Sequence, residues 1–273
     1  MAKTRVLIAV KTYPTLASKY DELVCTAGFR EDGTWIRIYP IPFRKLEYDK
    51  QYKKYDWVEI DLVRNDSDFR PESYRPYSIE RAFDIVGHIG TEHNWYFRKE
   101  IVLKNVYTSL DKLINDAKDK TKLISLAVFK PTKIIDFIYE EVEREWDKNK
   151  LEKLNARAMQ LNLFANSDNP FEVVNKLPYK FSFVFSDENE RQSTLMIEDW
   201  ETGQLYWNCL KQNDGNELKA CQDVRRKYFD DFAGTKDLYF YLGTTREFHL
   251  MAPNPFIIIG TFHPKKVDQL RLF

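Results

Sequence analysis

Three acidic residues lie close together where a predicted strand meets a predicted helix. Glu198, Asp199 and Glu201 occur in the segment IEDWETGQLYW. Carboxylates at the end of a strand can bind Mg²⁺ for phosphodiester hydrolysis, and His249 is a further catalytic candidate near them. Acidic residues in a first helical turn also stabilise the helix N-terminus, and no Glu-x-Lys pair in a later strand completes a familiar nuclease pattern. No cofactor or bound metal is therefore expected unless the protein is an enzyme, in which case magnesium is the candidate. A metal-dependent catalytic site and a purely structural role both stay open.

A β-hairpin predicted over residues 21–44 carries a second set of candidate residues. Its Asp-Gly turn is a strong hairpin signal because glycine accepts a positive φ. The second strand alternates, so its isoleucines share one face while Trp35, Arg37 and Tyr39 share the other. Bases can stack on the two aromatic rings while the arginine contacts phosphate. The alternative is that a helix or another domain covers this face.

Further basic and aromatic residues follow the hairpin. Phe43 and Arg44 end it, and the irregular loop over residues 65–77 contributes two more arginines. A functional surface often lies on a loop that a rigid sheet holds in place. The sequence therefore predicts a nucleic-acid interface, with DNA or RNA as the partner, formed by Trp35, Arg37, Tyr39, Phe43, Arg44, Arg70 and Arg75.

The composition limits both the class of protein and the source of any binding charge. Lys+Arg and Asp+Glu both number 42, so nucleic-acid binding would need a local basic patch rather than a net positive charge. The three cysteines are widely spaced and include no CxxC pair. This spacing argues against a disulfide framework and a structural zinc site, and favours the cytoplasm. No segment has the length of a membrane-spanning helix, so no membrane partner is expected.

The first half of the chain is predicted to form a small β-barrel. Apolar runs and alternating patterns indicate strands over residues 5–11, in the hairpin and over residues 56–63, with shorter strands up to residue 139. One helix, capped by Ser109, precedes the last two of these strands. Five or six short strands with one inserted helix resemble an OB-like Greek-key barrel in outline. Residues 1–140 are therefore assigned to an OB-like β-barrel domain.

The second half has a different pattern. Residues 141–177 predict a charged helical connector that ends in a turn-rich segment. Residues 178–273 predict two strands, two helices over 200–210 and 217–232, and two final strands. This order, ββααββ, is typical of a layer in which helices cover one face of a sheet. The predicted fold class is α+β, with an N-terminal OB-like barrel and a C-terminal α+β domain.

Several segments together carry a resemblance to a known family. They are VKTYP, ELVCTAG, GTWIRIYPIPFR, FRPESYRP, SLAVFKP, LMIEDWETGQLYWNCL, DLYFYLGT and PFIIIGTFHP. Together they resemble an uncharacterised bacterial protein family that is associated with mobile elements and defence islands. The resemblance covers most of the chain and implies a role in that biology, with a neighbouring gene product as a further expected partner. It implies no established activity.

The hairpin alone is similar to an element of dual-OB-domain proteins. In that element AG is followed by a turn and GEWVR, and Trp35 and Arg37 match its tryptophan and arginine. This similarity implies OB-type nucleic-acid binding. Two alternatives stay open beside it. One is a metal-dependent nuclease or other nucleic-acid-processing enzyme, and the other is an adaptor whose exposed aromatic residues bind another polypeptide.

Overall fold

The computed structural model describes residues 3–17, 21–78, 83–149, 151–152, 154 and 173–266. These residues form a mixed α+β protein with an N-terminal module, residues 4–102, and a C-terminal module, residues 106–262. The elements of the N-terminal module are β1 (Thr4–Lys11), β2 (Thr15–Ala17), β3 (Asp21–Phe29), β4 (Trp35–Ile41), β5 (Asp56–Ile60), β6 (Leu62–Arg64), β7 (Ser73–Pro76), β8 (Asp84–His88) and α1 (Glu92–Val102). Those of the C-terminal module are β9 (Val106–Tyr107), α2 (Leu110–Lys118), β10 (Leu126–Phe129), β11 (Lys133–Glu141), β12 (Tyr179–Ser186), β13 (Gln192–Met196), α3 (Trp200–Gln212), α4 (Glu217–Arg225), β14 (Tyr239–Thr244) and β15 (Phe256–Phe262).

The N-terminal sheet curls so that β6, at one end of the strand order, continues directly from β5, which pairs with the edge strand β8 at the other end. Strands β1, β3 and β4 form an antiparallel meander, and β7 pairs with β4 in parallel. Strand β6 pairs with β7, and β5 pairs with β1, both antiparallel. Only Asp61 separates β5 from β6, so the path of paired strands returns to its start. Short 3₁₀ turns over residues 43–45 and 48–50 connect β4 to β5.

Alternation along the strands gives this curled sheet an apolar interior. Val6, Ile8, Ile36, Ile38 and Val58 are all buried in one cluster, because every second side chain points to the same face. The prediction that the isoleucines of the hairpin face a core is confirmed.

The opposite face of the same sheet packs against the C-terminal module. Leu7, Phe29 and Trp35 belong to a second cluster together with Val128 of β10 and Tyr241 of β14. Apolar side chains therefore cover both faces of the central strands. This explains the unbroken apolar run that residues 6–10 show in the sequence.

The described strands of the C-terminal module form two sheets rather than one. The order of the first is β15-β14-β10-β9, and that of the second is β11-β12-β13. A parallel bridge between Ile197 and Ile258 joins them. Alternating phenylalanines of β12, including Phe183, pack with Tyr206 of α3 and Phe240 of β14 in the largest core.

The predicted element order is observed, but the predicted single layer is not. Strand β12 pairs with β11 and β13 pairs with β12, whereas β14 pairs with β10, from the middle of the chain, and β15 pairs with β14. The predicted division into residues 1–140, 141–177 and 178–273 stays a prediction, and these pairings run across its first boundary. A helical segment begins only at residue 148, and residues 155–172 of the predicted connector lie outside the described residues.

The helices of the described part of the chain are short. None of them combines the length and the apolar run that a membrane crossing needs.

Candidate functional site

The central residue of the predicted nucleic-acid row does not lie on an open surface. Arg37 is 3% exposed. Its guanidinium donates hydrogen bonds to Ser125 Oγ at 2.7 Å, to the Ser125 carbonyl at 3.1 Å and to the Thr244 carbonyl at 3.3 Å. These partners lie beside β10 and at the end of β14, in the sheet that covers this face of β4. The prediction of an exposed row built around Arg37 is therefore wrong.

The aromatic residues of the prediction have three different environments. Trp35 is half-buried and packs against Phe29, with ring centroids 4.0 Å apart, and against Tyr241 at 5.6 Å. Tyr39 is 39% exposed at the far end of β4, where a base could reach it. Phe43 is 4% exposed, so it cannot serve as a stacking platform.

The remaining predicted arginines are also dispersed. Arg70 is buried and forms an ion pair with Asp68, with the Arg70 Nη2 atom 2.6 Å from Asp68 Oδ2. Arg44 Nη1 lies 2.8 Å from the buried carboxylate of Glu22. Arg75 is exposed on β7. Internal carboxylates therefore pair with Arg70 and Arg44, and the seven predicted residues do not form one basic surface.

Thr244 is the point at which several of the predicted residues meet. Its carbonyl accepts hydrogen bonds from both Arg37 and Arg70. Its hydroxyl lies 2.7 Å from His249 Nδ1, and His249 Nε2 donates to the Ala117 carbonyl at 2.8 Å. Burial lowers the pKa of His249, so the neutral ring accepts at Nδ1 and donates at Nε2. The expected association of His249 with the acidic cluster is not observed, because the histidine belongs to this buried network instead.

A groove with a volume of about 640 Å³ lies between the two modules. We call it the inter-module groove. Its N-terminal wall includes Trp35, and its C-terminal wall includes Tyr107, with Lys104 and Lys112 exposed at the rim. Its lining is completed by Phe29, Gly33, Thr34, Pro71, Glu72, Val102, Asn105, Val106, Thr108, Ile124, Leu126, Ala127 and Glu188.

A smaller cavity of about 210 Å³ contains two of the predicted acidic residues. We call it the lysine pocket. The end of β1, the segment before β5 and the N-terminus of α3 form it, so both modules contribute. Its lining consists of Ile8, Lys11, Tyr52, Lys53, Lys54, Asp199, Trp200 and Glu201.

Lys54 neutralises the carboxylates of the lysine pocket. Its Nζ atom lies 2.7 Å from Glu201 Oε2 and 3.5 Å from Asp199 Oδ2. Burial acts to lower the pKa of Lys54, but the charges of Asp199 and Glu201 outweigh it and raise that pKa well above its ordinary value. Burial raises the pKa of Asp199 to about 7, although Lys54 opposes the shift. Asp199 is 2% exposed, and neither of its side-chain oxygens has a hydrogen-bond partner.

This arrangement does not fit the predicted magnesium site. The Lys54 ammonium contacts both carboxylates, which are the groups that a divalent ion would need. Glu198 does not line the pocket, and burial raises the pKa of its carboxyl. Within the described ranges, no three His, Cys, Asp or Glu side chains are arranged to hold a metal ion.

Sequence reasoning missed both lysines of the pocket. Lys11 ends β1 directly after the apolar run of that strand, and Lys54 lies two residues before the start of β5. Neither belongs to a motif. The available signal was the charged Lys11 at the end of a buried strand. The partner of Lys54 on α3, Glu201, is 147 positions away along the chain.

Comparison with known families divides the chain near the same place as the structure. The model described as "Domain of unknown function (DUF8758)" matches residues 2–104, and the model described as "Domain of unknown function (DUF8757)" matches residues 106–273. The chain belongs to the DUF8757 family. This family match contains every strand of the four-stranded and three-stranded sheets, and the DUF8758 match contains the curled sheet. No curated protein matches the chain.

Proposed function

We propose that the protein binds single-stranded nucleic acid in the inter-module groove. The observation that carries the proposal is the position of this groove on the N-terminal sheet. Its lining includes Phe29 at the end of β3, Trp35 at the start of β4 and Pro71 in the loop between β6 and β7.

The strand pairing supports an OB-like barrel for the N-terminal module. An OB barrel is a Greek-key arrangement that has five strands: a meander of three, a fourth strand that returns to the first, and a fifth strand beside the third. Here β1, β3 and β4 form the meander, the β5–β6 segment returns to β1, and β7 lies parallel to β4. In OB-folds, the face of the second and third strands and the loop between the fourth and fifth bind oligonucleotides. The inter-module groove lies along these elements.

The residues that line the groove favour binding through base stacking rather than through contacts with phosphate. Trp35 and Tyr107 provide aromatic surface, and base stacking contributes about 1–3 kcal/mol per base. Lys104 and Lys112 provide two positive charges at the rim, but Glu72 and Glu188 also line the groove. We therefore expect modest affinity and a shallow salt dependence. A contact with two phosphates predicts a slope of log K against log salt of about −1.4 for a single strand.

Binding of labelled oligo-dT and oligo-U, measured by fluorescence anisotropy, tests this proposal. Trp35→Ala should weaken binding by about 5- to 150-fold through lost stacking, and Trp35→Phe should retain most of the affinity. Lys104→Glu should also lower the affinity, and its difference from wild type should grow as the salt concentration falls. Lys219→Glu is the matched control, because Lys219 is exposed on α4 and does not line the groove.

Three outcomes contradict the proposal. One is the absence of binding to either oligonucleotide at low salt. Another is an equal effect of Lys104→Glu and Lys219→Glu, which would indicate unspecific attraction. The third is a co-purified polypeptide that occupies the groove while no nucleic acid is retained, which would instead support the adaptor function. The expected bacterial defence or mobile-element context stays a prediction, with which a nucleic-acid ligand would agree.

A further inference from the structure

Lys11 is placed among aromatic rings rather than beside a carboxylate. Its Nζ atom lies 3.7 Å from the ring centroid of Phe43, 4.6 Å from that of Trp200 and 5.9 Å from that of Tyr52. Within the described part of the chain, this nitrogen makes no hydrogen bond and no ion pair. The ring faces attract an ammonium ion, but they offer no hydrogen-bond acceptor to replace the water that burial removes.

The second lysine of the pocket explains why Lys11 has no acidic partner. Lys54 already contacts Glu201 and Asp199, so the two carboxylates are compensated without Lys11. The two amines therefore differ in environment although they line one cavity. Catalytic sites often place two neighbouring groups in environments that give them different pKa values. One group then acts as a nucleophile or base, and the other stays charged.

Burial lowers the pKa of Lys11 to about 8, against the charges of Glu201 and Asp199. About one Lys11 side chain in ten then carries a neutral amine at pH 7, compared with roughly one in 2,500 for an ordinary lysine. Asp199, with its pKa raised to about 7, exists in comparable amounts as acid and as carboxylate at that pH. The pocket thus holds a neutral amine and a proton donor under the same conditions.

We propose that the lysine pocket is an imine-forming site for a small aldehyde or ketone, with Lys11 as the nucleophile and Asp199 as the proton donor. The volume of about 210 Å³ equals that of roughly seven liquid waters, which suits a compound of only a few carbon atoms. The pocket shares no lining residue with the inter-module groove, so this proposal does not depend on nucleic-acid binding.

The reaction balances with the groups of the pocket. The Lys11 nitrogen lone pair forms a C–N bond with the carbonyl carbon, and the oxygen takes the proton of Asp199. The nitrogen then returns a proton to the Asp199 carboxylate. The C–O bond breaks as that proton passes to the hydroxyl group, so that water leaves. The products are a protonated imine on Lys11 and an Asp199 carboxylate, which Lys54 stabilises.

Reductive trapping on the intact protein tests this proposal. We would incubate the protein with propanal and sodium cyanoborohydride at pH 7 and map the reduced adducts by peptide mass spectrometry. Lys11 should be labelled at least tenfold faster than the exposed Lys219, although it is less accessible. Lys11→Arg should abolish this fast labelling, and Lys219→Arg should leave it unchanged. The labelling rate of Lys11 should pass through a maximum between about pH 7 and pH 8, because the reaction needs both the neutral amine of Lys11 and the protonated carboxyl of Asp199.

Asp199→Asn separates proton donation from a simple effect of charge. The Asp199 carboxylate raises the pKa of Lys11, so its removal increases the fraction of neutral amine. If Asp199 donates the proton, labelling of Lys11 in the variant nevertheless becomes slower, by about tenfold or more. Labelling that is unchanged or faster in the variant overturns the role of Asp199.

A second measurement keeps the role of Lys11 testable without any variant. Competitive labelling of the wild-type protein with trace acetic anhydride, over a range of pH, reports the pKa and reactivity of each lysine. A Lys11 midpoint near 10 overturns the proposal, as does propanal labelling that simply follows lysine exposure. Either result would mean that Lys11 is an ammonium ion whose role is to pack against the three rings.

Discussion

At the scale of single residues, the buried Arg37 on β4 shows what the alternation of side chains along a strand can and cannot predict. The period of two correctly separated Ile36 and Ile38 from Arg37, because it depends only on strand geometry. What lies against the second face depends on residues far along the chain. The partners of Arg37 are 88 and 207 positions away, and no local pattern connects them.

Arg37→Ala should lower the free energy of unfolding by about 2–4 kcal/mol. The substitution removes hydrogen bonds from a charged donor and leaves a cavity under the C-terminal sheet. Denaturant titration measures this loss. Arg75→Ala is the control on an adjacent strand, and we expect it to change the free energy by less than about 0.5 kcal/mol because Arg75 is exposed. Unchanged stability in Arg37→Ala, combined with weaker oligonucleotide binding, would instead restore the interpretation of Arg37 as an exposed contact.

At the scale of elements, α3 is a helix that was predicted correctly, whereas the magnesium site predicted at its start does not fit the structure. The sequence indicated a helix from residue 200 with carboxylates at its start, and both features are observed. It did not indicate what the helix docks against. A Cβ atom on Gly203 would lie 2.3 Å from two ring carbons of Tyr13, so α3 approaches the N-terminal module closely. The Tyr13 hydroxyl donates to the Asn175 carbonyl and accepts from Trp207 Nε1, which fixes this contact.

Gly203→Ala should therefore destabilise the protein although alanine favours helices. Overpacking costs about 1–3 kcal/mol, and the gain in helix propensity offsets at most about 1 kcal/mol of it. Because α3 carries Asp199 and Glu201, the variant should also slow the labelling of Lys11. Gly234→Ala is the matched control, since its Cβ would meet only the Phe229 carbonyl at 3.6 Å. Thermal melting measures both variants, and a Gly203→Ala protein as stable as wild type would contradict the close approach.

At the scale of the whole molecule, the sequence predicted a mixed α+β protein, an N-terminal curled sheet and the order of the C-terminal elements. It did not predict that the two modules share a large apolar contact. That contact forms because the face of β1, β3 and β4 opposite the interior is itself apolar, with Leu7, Ala27 and Phe29 all buried. The inter-module groove lies along this contact, and both it and the lysine pocket take lining residues from both modules.

A fragment of residues 1–104 should consequently be insoluble or self-associating when it is produced alone. Without the C-terminal module it exposes the apolar face of its central strands, and a large exposed apolar patch favours association. Size-exclusion chromatography and binding of a hydrophobic dye measure this. Co-expression with residues 105–273 should restore a monodisperse complex, whereas a soluble, monomeric fragment that does not bind the dye would contradict the shared core.

The hydrogen bond from Arg37 to the Thr244 carbonyl also has a consequence for folding during translation. The acceptor follows the donor by 207 residues, and translation at about 5–20 residues per second needs roughly 10–40 seconds to reach it. Until then the guanidinium lacks this acceptor, and only Ser125, water and transient partners are available to it. We therefore expect nascent-chain chaperones to be engaged until the last strands emerge.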